Sequence, residues 1–502
     1  MTSTVSQKSN DPAPVTLRPV TVEDRDILMG WQQDANIRRH FRNPNLVTPD
    51  EHAAWMEKRL AEPAGDFMVV LSGGTPSGMA RLDQSEPGVY EISILVDPAH
   101  QGRGIGKAAL LALRRLRPGA VFRAQVMAGN AASAALFSAA GFVPENGTYI
   151  QRPVIRAVFR TDASPDIGGG HVMRCLTLAD RLSMAGWGCA FAIRAQTLSV
   201  VPALAKSGHC IIELNCPAAD EPETIAGNCG DAVEWLVVDH YERDRQFETA
   251  CRAWATRILA IDDLADRPHD CDLLLDQAPG RTREDYRALT GIGCDFLLGL
   301  DYALLRLQFS QAREAARDHD KAASDALKLL VALGAVDAGN RTKTVLQALG
   351  QVDCRVEIDV VLGPAAPHMD EIHELARLMP YKIRVHTDVR DMAGMMIEAD
   401  LAIGAAGTSS WERCCLGLPS IVIMTADNQQ DFAAALQKFG AAEVLDGREN
   451  LSTDILARKI GDIVNDRDRM KVMATAAAKV CDGLGSERVF SAMAAVVSLP
   501  EK

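Results

Sequence analysis

Short apolar runs alternate with amphipathic stretches along the whole chain, a pattern typical of an α/β protein. In the first third, VYEISILV (residues 89–96) predicts a strand and GKAALLALRRL (residues 106–116) predicts a helix. Strands and helices of similar length recur from residue 15 to about residue 149. This segment therefore has the spacing of one α/β domain.

A second series of strands opens with VIRAVFR (154–160) and continues with WLVVD (235–239), RILAID (257–262) and DLLLD (272–276). Because these runs are short and almost wholly apolar, they predict a parallel sheet buried on both faces. The charged stretch QAREAARDHDKAASD (311–325) lacks an apolar period and predicts a linker or an exposed connecting helix. After it, LKLLVALG, VEIDVVLG, KIRVHT, DLAIGAAG and PSIVIM predict another doubly wound sheet.

The predicted fold class is α/β, with one N-terminal domain followed by two Rossmann-type domains. We place a flexible tail at residues 1–14, the first domain at 15–152, and the Rossmann-type domains at 153–315 and 316–502, the last ending in a helix. Two such sheets joined by a hinge create a cleft that faces the carboxyl ends of their strands. A ligand is expected to bind there.

Length and composition agree with several domains, because 502 residues exceed what one hydrophobic core usually organises. A net charge of −13 argues against a nucleic-acid partner, so an anionic ligand is expected to be held by backbone amides or a few placed cations.

No apolar run reaches the roughly 20 residues of a membrane span. The polar start lacks the build of a signal peptide, which predicts a cytoplasmic protein without a membrane partner. The twelve cysteines form no CxxC pair that would indicate zinc or redox exchange.

A glycine-rich turn containing Gln101, Gly102, Gly104 and Gly106 joins the first strand to the first helix quoted above. It leaves backbone amides open at a helix N-terminus, where amides and the helix dipole favour a pyrophosphate. Taken alone, the glycines are equally compatible with a structural tight turn or with a dinucleotide-binding fingerprint. The wider stretch resembles the acetyl-CoA loop of the GNAT N-acetyltransferases, whose pattern Q/R-x-x-G-x-G/A is met by Gln101, Gly104 and Gly106. The resemblance implies an N-acetyltransferase domain that uses acetyl-CoA as co-substrate.

The same resemblance implies roles for residues outside the loop. Asn130 corresponds to the residue that contacts the pantetheine arm, and Phe137 stands where many members have a Tyr that protonates the leaving thiolate. Another group or water must then supply that proton. Glu91 is our candidate base for the attacking amine, and an outward-facing strand residue is the equally supported alternative. His52 and Trp55 match an H-x-x-W segment of acetyltransferases that act on nucleotide-linked amino sugars; the alternative is a packed aromatic and a surface His.

A second glycine-rich strand-to-helix turn, FRTDASPDIGGGHVMRC, presents His171 at the start of a helix. At the carboxyl edge of a sheet, a neutral imidazole can take a proton from water. A helix cap or a phosphate contact fits the same spacing equally well. The sequence therefore offers His171 as a candidate base.

The last domain contains a comparable turn in ADLAIGAAGTSSWERCCLGLPSIVIMTADNQ. Small residues at such a turn let the backbone approach a diphosphate, and a carboxylate one turn later can accept both ribose hydroxyls. A merely tight strand-to-helix packing is the alternative. The candidate residues are Gly407, Thr408, Ser409, Glu412, Asn428 and Gln429.

Residues 154–498 as a whole resemble the pseudaminic-acid pathway hydrolases that cleave UDP-2,4-diacetamido-2,4,6-trideoxy-β-L-altropyranose. The matching pieces are R-x-D, I-G-x-G-H-x-x-R, VVDHY, IDDLADRPHDCDLLLDQ, DYALLRLQF and SSWERCCLGLP. The resemblance implies a GT-B-like pair of Rossmann-type domains, with UDP held by the second and the sugar facing His171. It further implies substrate contacts by Arg160, Asp162, Gly170, Arg174, Tyr241 and Asn428.

One departure from the family is LGAVDAGN, where a second Gly and a Ser are expected near Ala335 and Val336. No motif with metal-ligand spacing is apparent, and Asp262-Asp263 is predicted to be a strand-end turn, so no metal is expected. The combined prediction is a bifunctional enzyme that acetylates a UDP-4-amino sugar and then releases UDP from the product. The alternatives are a glycosyltransferase that uses the same UDP cleft, and an N-terminal module that binds CoA or a partner without turnover.

Overall fold

The structure is a computed structural model, and its described part forms three β-sheets flanked by helices. None of the helices in that part is long and apolar enough to cross a membrane. The described residues are 14–41, 43, 45–61, 66–164, 167–230, 232–318, 326–334, 336–363, 366–387, 389, 391–449 and 451–497.

The N-terminal domain forms a largely antiparallel sheet. Its elements are β1 (Val15–Pro19), α1 (Arg25–Gln33), α2 (Ala35–Arg38), α3 (Pro49–Leu60), β2 (Phe67–Ser72), β3 (Thr75–Glu86), β4 (Val89–Val96), α4 (Ile105–Leu116), β5 (Val121–Gln125), α5 (Ala131–Ala139), β6 (Val143–Glu145) and β7 (Thr148–Gln151). The strand order is β1-β2-β3-β4-β5-β7-β6, and only β4 and β5 pair in parallel. One core packs α4 and α5 on the sheet, and another packs α1 and α3.

The second sheet follows at once in the chain. Its elements are β8 (Ile155–Thr161), α6 (Gly170–Met184), β9 (Gly188–Ile193), α7 (Gln196–Val200), α8 (Pro202–Lys206), β10 (Cys210–Glu213), α9 (Glu221–Cys229), β11 (Val233–Asp239), α10 (Arg245–Cys251), β12 (Ala255–Ile261), β13 (Leu273–Asp276), α11 (Arg283–Tyr286), β14 (Asp295–Leu298) and α12 (Leu307–Asp318). The strand order is β10-β9-β8-β11-β12-β13-β14. The order therefore reverses between β8 and β11, which makes their carboxyl ends a topological switch point.

The third sheet is parallel throughout. Its elements are β15 (Leu327–Ala332), α13 (Arg341–Leu349), β16 (Val356–Leu362), α14 (Met369–Leu378), β17 (Lys382–Thr387), α15 (Met392–Glu398), β18 (Leu401–Ala405), α16 (Thr408–Cys415), β19 (Ser420–Met424), α17 (Gln430–Phe439), β20 (Ala442–Asp446), α18 (Thr453–Val464), α19 (Arg467–Ala477) and α20 (Gly485–Val497). The strand order is β17-β16-β15-β18-β19-β20, with a switch point between β15 and β18.

The chain divides into two compact units. One comprises residues up to 157 with 182–191 and 203–212, and the other comprises 158–181, 192–202 and the residues from 213 onward. Since β9 and β10 fall in the first unit and β11 to β14 in the second, the domain boundaries expected from the sequence stay predictions. Of the expected linker, residues 311–318 belong to α12, while residues 319–325 and the tail residues 1–13 lie outside the described residues.

A buried ion-pair network ties together the ends of several strands of the second sheet. Glu221, at the start of α9, accepts hydrogen bonds from Arg160 (2.8 and 3.0 Å), Arg194 (2.6 Å) and Arg243 (2.9 and 2.8 Å). Burial alone would raise the pKa of Glu221, but Arg243 and Arg160 lower it to about 2. Because Arg160 lies on β8, Arg194 follows β9 and Arg243 follows β11, this one carboxylate fixes the edge of the sheet at its switch point.

We predict that Glu221→Gln lowers the free energy of unfolding by about 3–5 kcal/mol near neutral pH, because it leaves arginines buried without their counter-charge. The stabilisation by Glu221 is fully present above the unfolded-state pKa of 4.5 and is lost as the pH falls through the folded-state value of about 2. Urea titrations of the two proteins should therefore diverge most near neutral pH and converge in acid. Glu223→Gln, an exposed change on the same helix, is the control and should stay within about 0.5 kcal/mol.

Candidate functional sites

The predicted acetyl-CoA loop connects β4 to α4. Gly102 (φ +74°) and Gly104 (φ +76°) adopt left-handed backbone, which glycine allows at little cost, and Gly104 is the N-cap of α4. No described side chain caps α4, so its first amides are available to an anion. Gln101 Nε2 donates to the carbonyl of the last residue of β4 at 3.0 Å, which ties the loop to the sheet. At Gly106, an added Cβ would lie 3.1 Å from Leu136, so glycine there lets α4 approach α5.

The strands β4 and β5 separate beside this loop. Their pairing ends at Glu91 opposite Arg123, although β4 runs on to Val96 and β5 to Gln125, all within the described residues. The β5-facing edge of β4 beyond Glu91 can therefore hydrogen-bond an extended amide chain. Glu91, the candidate base, is half-buried at the start of the separation.

Two other candidate residues of this domain have structural partners. Asn130 caps α5, and its Oδ1 accepts from the amide of Ser133 at 3.0 Å. Phe137 is 4% exposed, and its ring lies 5.0 Å from that of Phe142 and 6.1 Å from that of Tyr149. Phe137 is thus a core residue of this domain.

His52 is buried rather than exposed, so the alternative of a surface His is wrong. It is 1% exposed, and neither ring nitrogen has a hydrogen-bond partner in the described part of the chain. Its ring lies 5.5 Å from that of Trp55, which in turn lies 5.3 Å from that of Phe67. Burial lowers the pKa of His52, which favours the neutral imidazole. An acceptor-pocket role for the pair stays a prediction.

A second site gathers around the carboxylate of Asp239. Asp239 ends β11, and His171 is the second residue of α6, which follows the neighbouring strand β8. His171 Nδ1 lies 2.6 Å from Asp239 Oδ1. Arg174, one turn further along α6, donates to both carboxylate oxygens of Asp239, at 2.6 and 2.7 Å, and to Asp263 at 3.1 Å. The predicted residues His171 and Arg174 thus meet at the switch point of the sheet.

The charges of this cluster determine the tautomer of His171. Burial alone would raise the pKa of Asp239, but Arg174 and His171 outweigh it and hold that pKa well below its ordinary value. An ionised carboxylate can only accept, so Nδ1 of His171 is the nitrogen that donates to Asp239, and in the neutral imidazole Nε2 is the nitrogen left with the lone pair. The ring of Tyr241 lies 4.6 Å from that of His171 at 83°, an edge contact that restricts the imidazole.

Arg160 and Asp162 are directed into the protein. Arg160 is fully buried and donates to Asp162 at 2.7 Å in addition to its bonds with Glu221. Asp162 also accepts from the amide of Arg194 at 2.6 Å and lies 3.3 Å from His240. Burial alone would raise the pKa of Asp162, but His240 and Arg160 lower it to about 2. These contacts support the loop that precedes His171, and direct contact with a substrate stays a prediction.

The first residue of α6 is Gly170, another candidate substrate contact. An added Cβ at Gly170 would meet no described atom within 4 Å. The backbone there is open to a ligand, beside the imidazole of His171.

A third site lies at the switch point of the third sheet. Gly407 precedes α16, and Thr408 and Ser409 are its first residues. Glu412 accepts from Arg306 Nη2 at 3.0 Å, and burial raises the pKa of Glu412 although Arg306 opposes the shift. Three of the candidate residues thus form one turn, with the candidate ribose acceptor one helical turn further on.

The remaining candidates of this domain follow β19. Gln429 Oε1 accepts from the amide of Thr425 at 2.8 Å and so closes the turn after β19. Asn428 belongs to that turn, but its side chain lies outside the described residues. Ala335, at the departure from the family pattern, also lies outside them. No group of three or more His, Cys, Asp or Glu side chains suited to a metal ion occurs among the described residues.

Comparisons with known proteins match two separate parts of the chain. The acetyltransferase (GNAT) domain family matches residues 15–143, and the glycosyltransferase family 28 C-terminal domain matches residues 329–488. The N-terminal part of the chain is therefore GNAT-like, and its C-terminal part is similar to the C-terminal domain of glycosyltransferase family 28. The predicted α/β fold class, a GNAT domain followed by two Rossmann-type domains, is confirmed by the family match and by the three sheets.

Individual relatives extend over different parts of the chain. The UDP-2,4-diacetamido-2,4,6-trideoxy-beta-L-altropyranose hydrolase of Campylobacter jejuni is 26% identical over 292 residues, which are 57% of this chain and 97% of that protein. The spore coat polysaccharide biosynthesis protein SpsG of Bacillus subtilis is 31% identical over 194 residues, 38% of this chain and 56% of that protein. The crystal structure of Acinetobacter baumannii MurG aligns with a TM-score of 0.49 and 16% identity, over 68% of this chain and 99% of that chain.

Sequence reasoning assigned no role to Asp239 or Glu221, which the structure places at the centres of the two buried networks. Asp239 appeared as the last residue of WLVVD and within the matching piece VVDHY, but it was given no role of its own. Glu221 lies in a helix without a recognisable motif, and its arginine partners are distant along the chain. A strand-end acid next to a glycine-rich helix start is the signal that could have identified Asp239.

We predict that Gly104→Val in the GNAT domain lowers acetyl-CoA affinity by at least about tenfold, because a β-branched residue disfavours the left-handed backbone that orients the loop amides. Isothermal titration with acetyl-CoA measures the effect. Gly74→Val is the matched control, since Gly74 has a similar φ of +82° but lies in the β2–β3 turn. Equal affinity losses in both variants would contradict a binding role for the loop.

Proposed function

We propose that the chain is a bifunctional enzyme of bacterial nonulosonic acid synthesis. Its GNAT domain transfers acetyl from acetyl-CoA to the 4-amino group of a UDP-linked amino sugar. Its C-terminal pair of domains then hydrolyses the UDP-2,4-diacetamido-2,4,6-trideoxy-β-L-altropyranose product to UDP and free sugar. The observation that carries the hydrolytic half is His171 held by Asp239 and Arg174 at a sheet switch point, in a chain that aligns with 97% of a hydrolase of that substrate.

In the first step, the sugar amine attacks the thioester carbonyl of acetyl-CoA. The amine loses a proton to Glu91 or to water held by Glu91, the C–S bond breaks, and CoA leaves as a thiolate that is protonated by water or another group. The separation between β4 and β5 supports this assignment, because it offers backbone partners to an extended amide chain beside Glu91.

In the second step, Nε2 of His171 takes a proton from water. The water oxygen attacks the anomeric carbon opposite UDP, and the bond from that carbon to the phosphate oxygen breaks, so the sugar is inverted and UDP departs. UDP is a good leaving group, so positioning and charge stabilisation account for most of the acceleration. Asp239 orients the imidazole and stabilises the imidazolium, while Arg160 and Asp162 support the loop before it.

Incubating the full chain with the UDP-4-amino sugar and acetyl-CoA, with products followed by NMR, tests the proposal. We expect free CoA, then the N-acetylated nucleotide sugar, then UDP and the free sugar. UDP release that requires an added acceptor would make the C-terminal module a glycosyltransferase, the alternative favoured by the family 28 match. CoA that binds without being consumed would make the GNAT domain a binding module.

We predict that His171→Asn lowers the rate of UDP release by ~10²–10⁴-fold while UDP still binds, because the variant keeps a polar group but loses the base. Initial rates at saturating substrate measure the loss. Acetyl transfer by the same sample reports on folding, and His386→Asn, a change on β17, is the matched control. Near-normal UDP release would make His171 structural, and lost UDP affinity with normal turnover would reassign it to phosphate binding.

We predict that Asp239→Asn also reduces turnover strongly, by up to about 10⁴-fold, because an amide at that position can donate to Nδ1 and so favours the wrong tautomer. The pH profile of turnover should change as well. Asp263→Asn is the comparison, since Asp263 shares Arg174 with Asp239 but makes its contact to Arg174 rather than to His171. Equal losses in the two variants would refute an orienting role specific to Asp239.

A further inference from the structure

Arg413 of α16 is a buried cation of an unusual kind. It is 2% exposed and donates to the carbonyl of Ala405 (2.9 Å) and to the hydroxyls of Ser410 (2.9 Å) and Ser409 (3.3 Å). Arg160, equally buried, is paired with two carboxylates, whereas Arg413 forms no ion pair with any described residue. Burial lowers the pKa of Arg413 to about 10, so it remains charged near neutral pH. The adjacent Glu412 attracts Arg413 electrostatically but accepts its hydrogen bond from Arg306. A buried cation without a directly bonded carboxylate is costly, which calls for a reason to keep it.

The turn above Arg413 is built closely around the guanidinium. An added Cβ at Gly404 would lie 2.5 Å from Arg413 Nη1, so glycine there admits the side chain beneath the turn. Because Arg413 can only donate, the oxygen of Ser409 acts as acceptor toward it, and the hydroxyl hydrogen of Ser409 is directed elsewhere. The hydroxyl of Ser409 is thus available as a hydrogen-bond donor next to the first amides of α16.

The neighbouring helix at the same sheet edge has the opposite electrostatic character. β15 and β18 pair in parallel, so α13 and α16 start at the same edge. At α13, the carboxylate of Asp337 accepts from the amides of Arg341 and Thr342, both at 2.9 Å. At α16, no described carboxylate caps the helix. The first amides of α13 are therefore already bonded to a carboxylate, whereas those of α16 are available to an anion.

We propose that Arg413 is the positioning residue of the diphosphate subsite, which rests on the proposed function of this domain in binding UDP. It lies beneath the turn rather than against the ligand. It holds the hydroxyls of Ser409 and Ser410 in place and supplies the positive potential that the diphosphate neutralises. The favoured ligand chemistry is a nucleoside diphosphate, whose two phosphates carry more charge than a monophosphate.

The test measures binding of UDP, UMP, uridine and inorganic pyrophosphate to the full chain by isothermal titration. Arg413→Met should weaken UDP binding by about 10- to 100-fold, the range expected for a lost interaction with a charged group. It should weaken UMP binding less and leave uridine binding unchanged. Arg413→Lys keeps the charge and should restore part of the loss. Arg313→Met is the matched control, because Arg313 holds the other end of α16 through the carbonyl of Cys415 at 2.7 Å.

Thermal unfolding separates this role from a structural one. A positioning role predicts that the rise in Tm caused by UDP shrinks in Arg413→Met, while the ligand-free Tm changes little.

If Arg413→Met folds poorly, Arg413→Lys combined with Ser409→Ala provides a second test, in which their effects on UDP affinity should be non-additive. An unchanged ratio of UDP to uridine affinity in Arg413→Met would overturn the proposal, as would additive effects of Arg413→Lys and Ser409→Ala, or a wild-type chain that binds neither UDP nor pyrophosphate. UDP binding without any turnover of the UDP-sugar would instead refute the proposed hydrolysis. The comparison of UDP affinity with uridine affinity would then still test the role of Arg413.

Discussion

The buried carboxylate of Asp239 is the constraint on which the second site depends. A carboxylate this deep is stable only because Arg174 donates to both of its oxygens and the imidazole of His171 donates a third bond. The same bonds fix which nitrogen of His171 is free. The same contacts therefore compensate the buried charge and orient the imidazole that we propose as the base.

Glu221 is the centre of a second buried network, which supports this site. It gathers three arginines from strand ends that are distant in the chain, and through Arg160 it holds Asp162 beneath the turn that leads to α6. The position of His171 thus depends on a largely buried set of ion pairs. Residues that look like substrate contacts in a motif can serve in this way as the support for the residue that reacts.

The C-terminal domains use helix N-termini in two different ways. α13 is closed by the carboxylate of Asp337, and α16 is left open above the unpaired cation Arg413. Both lie where the strand order of the sheet reverses, which is where the backbone leaves room for a ligand. In the proposed UDP site, charge rather than shape alone would select which of the two similar turns holds a diphosphate.

The sequence by itself determined the α/β class, the order of the three sheets, and the glycine-rich turns at residues 101–106, 168–170 and 404–407, because apolar periodicity and glycine are local signals. It identified His171 and Arg174 but offered His171 equally as base, cap or phosphate contact. Only the tertiary structure decided that Asp239 lies against His171, that Arg160 is turned inward, and that His52 is buried. Those facts depend on contacts between residues far apart in the chain, and no local pattern encodes which strand ends become neighbours or which charges are compensated there.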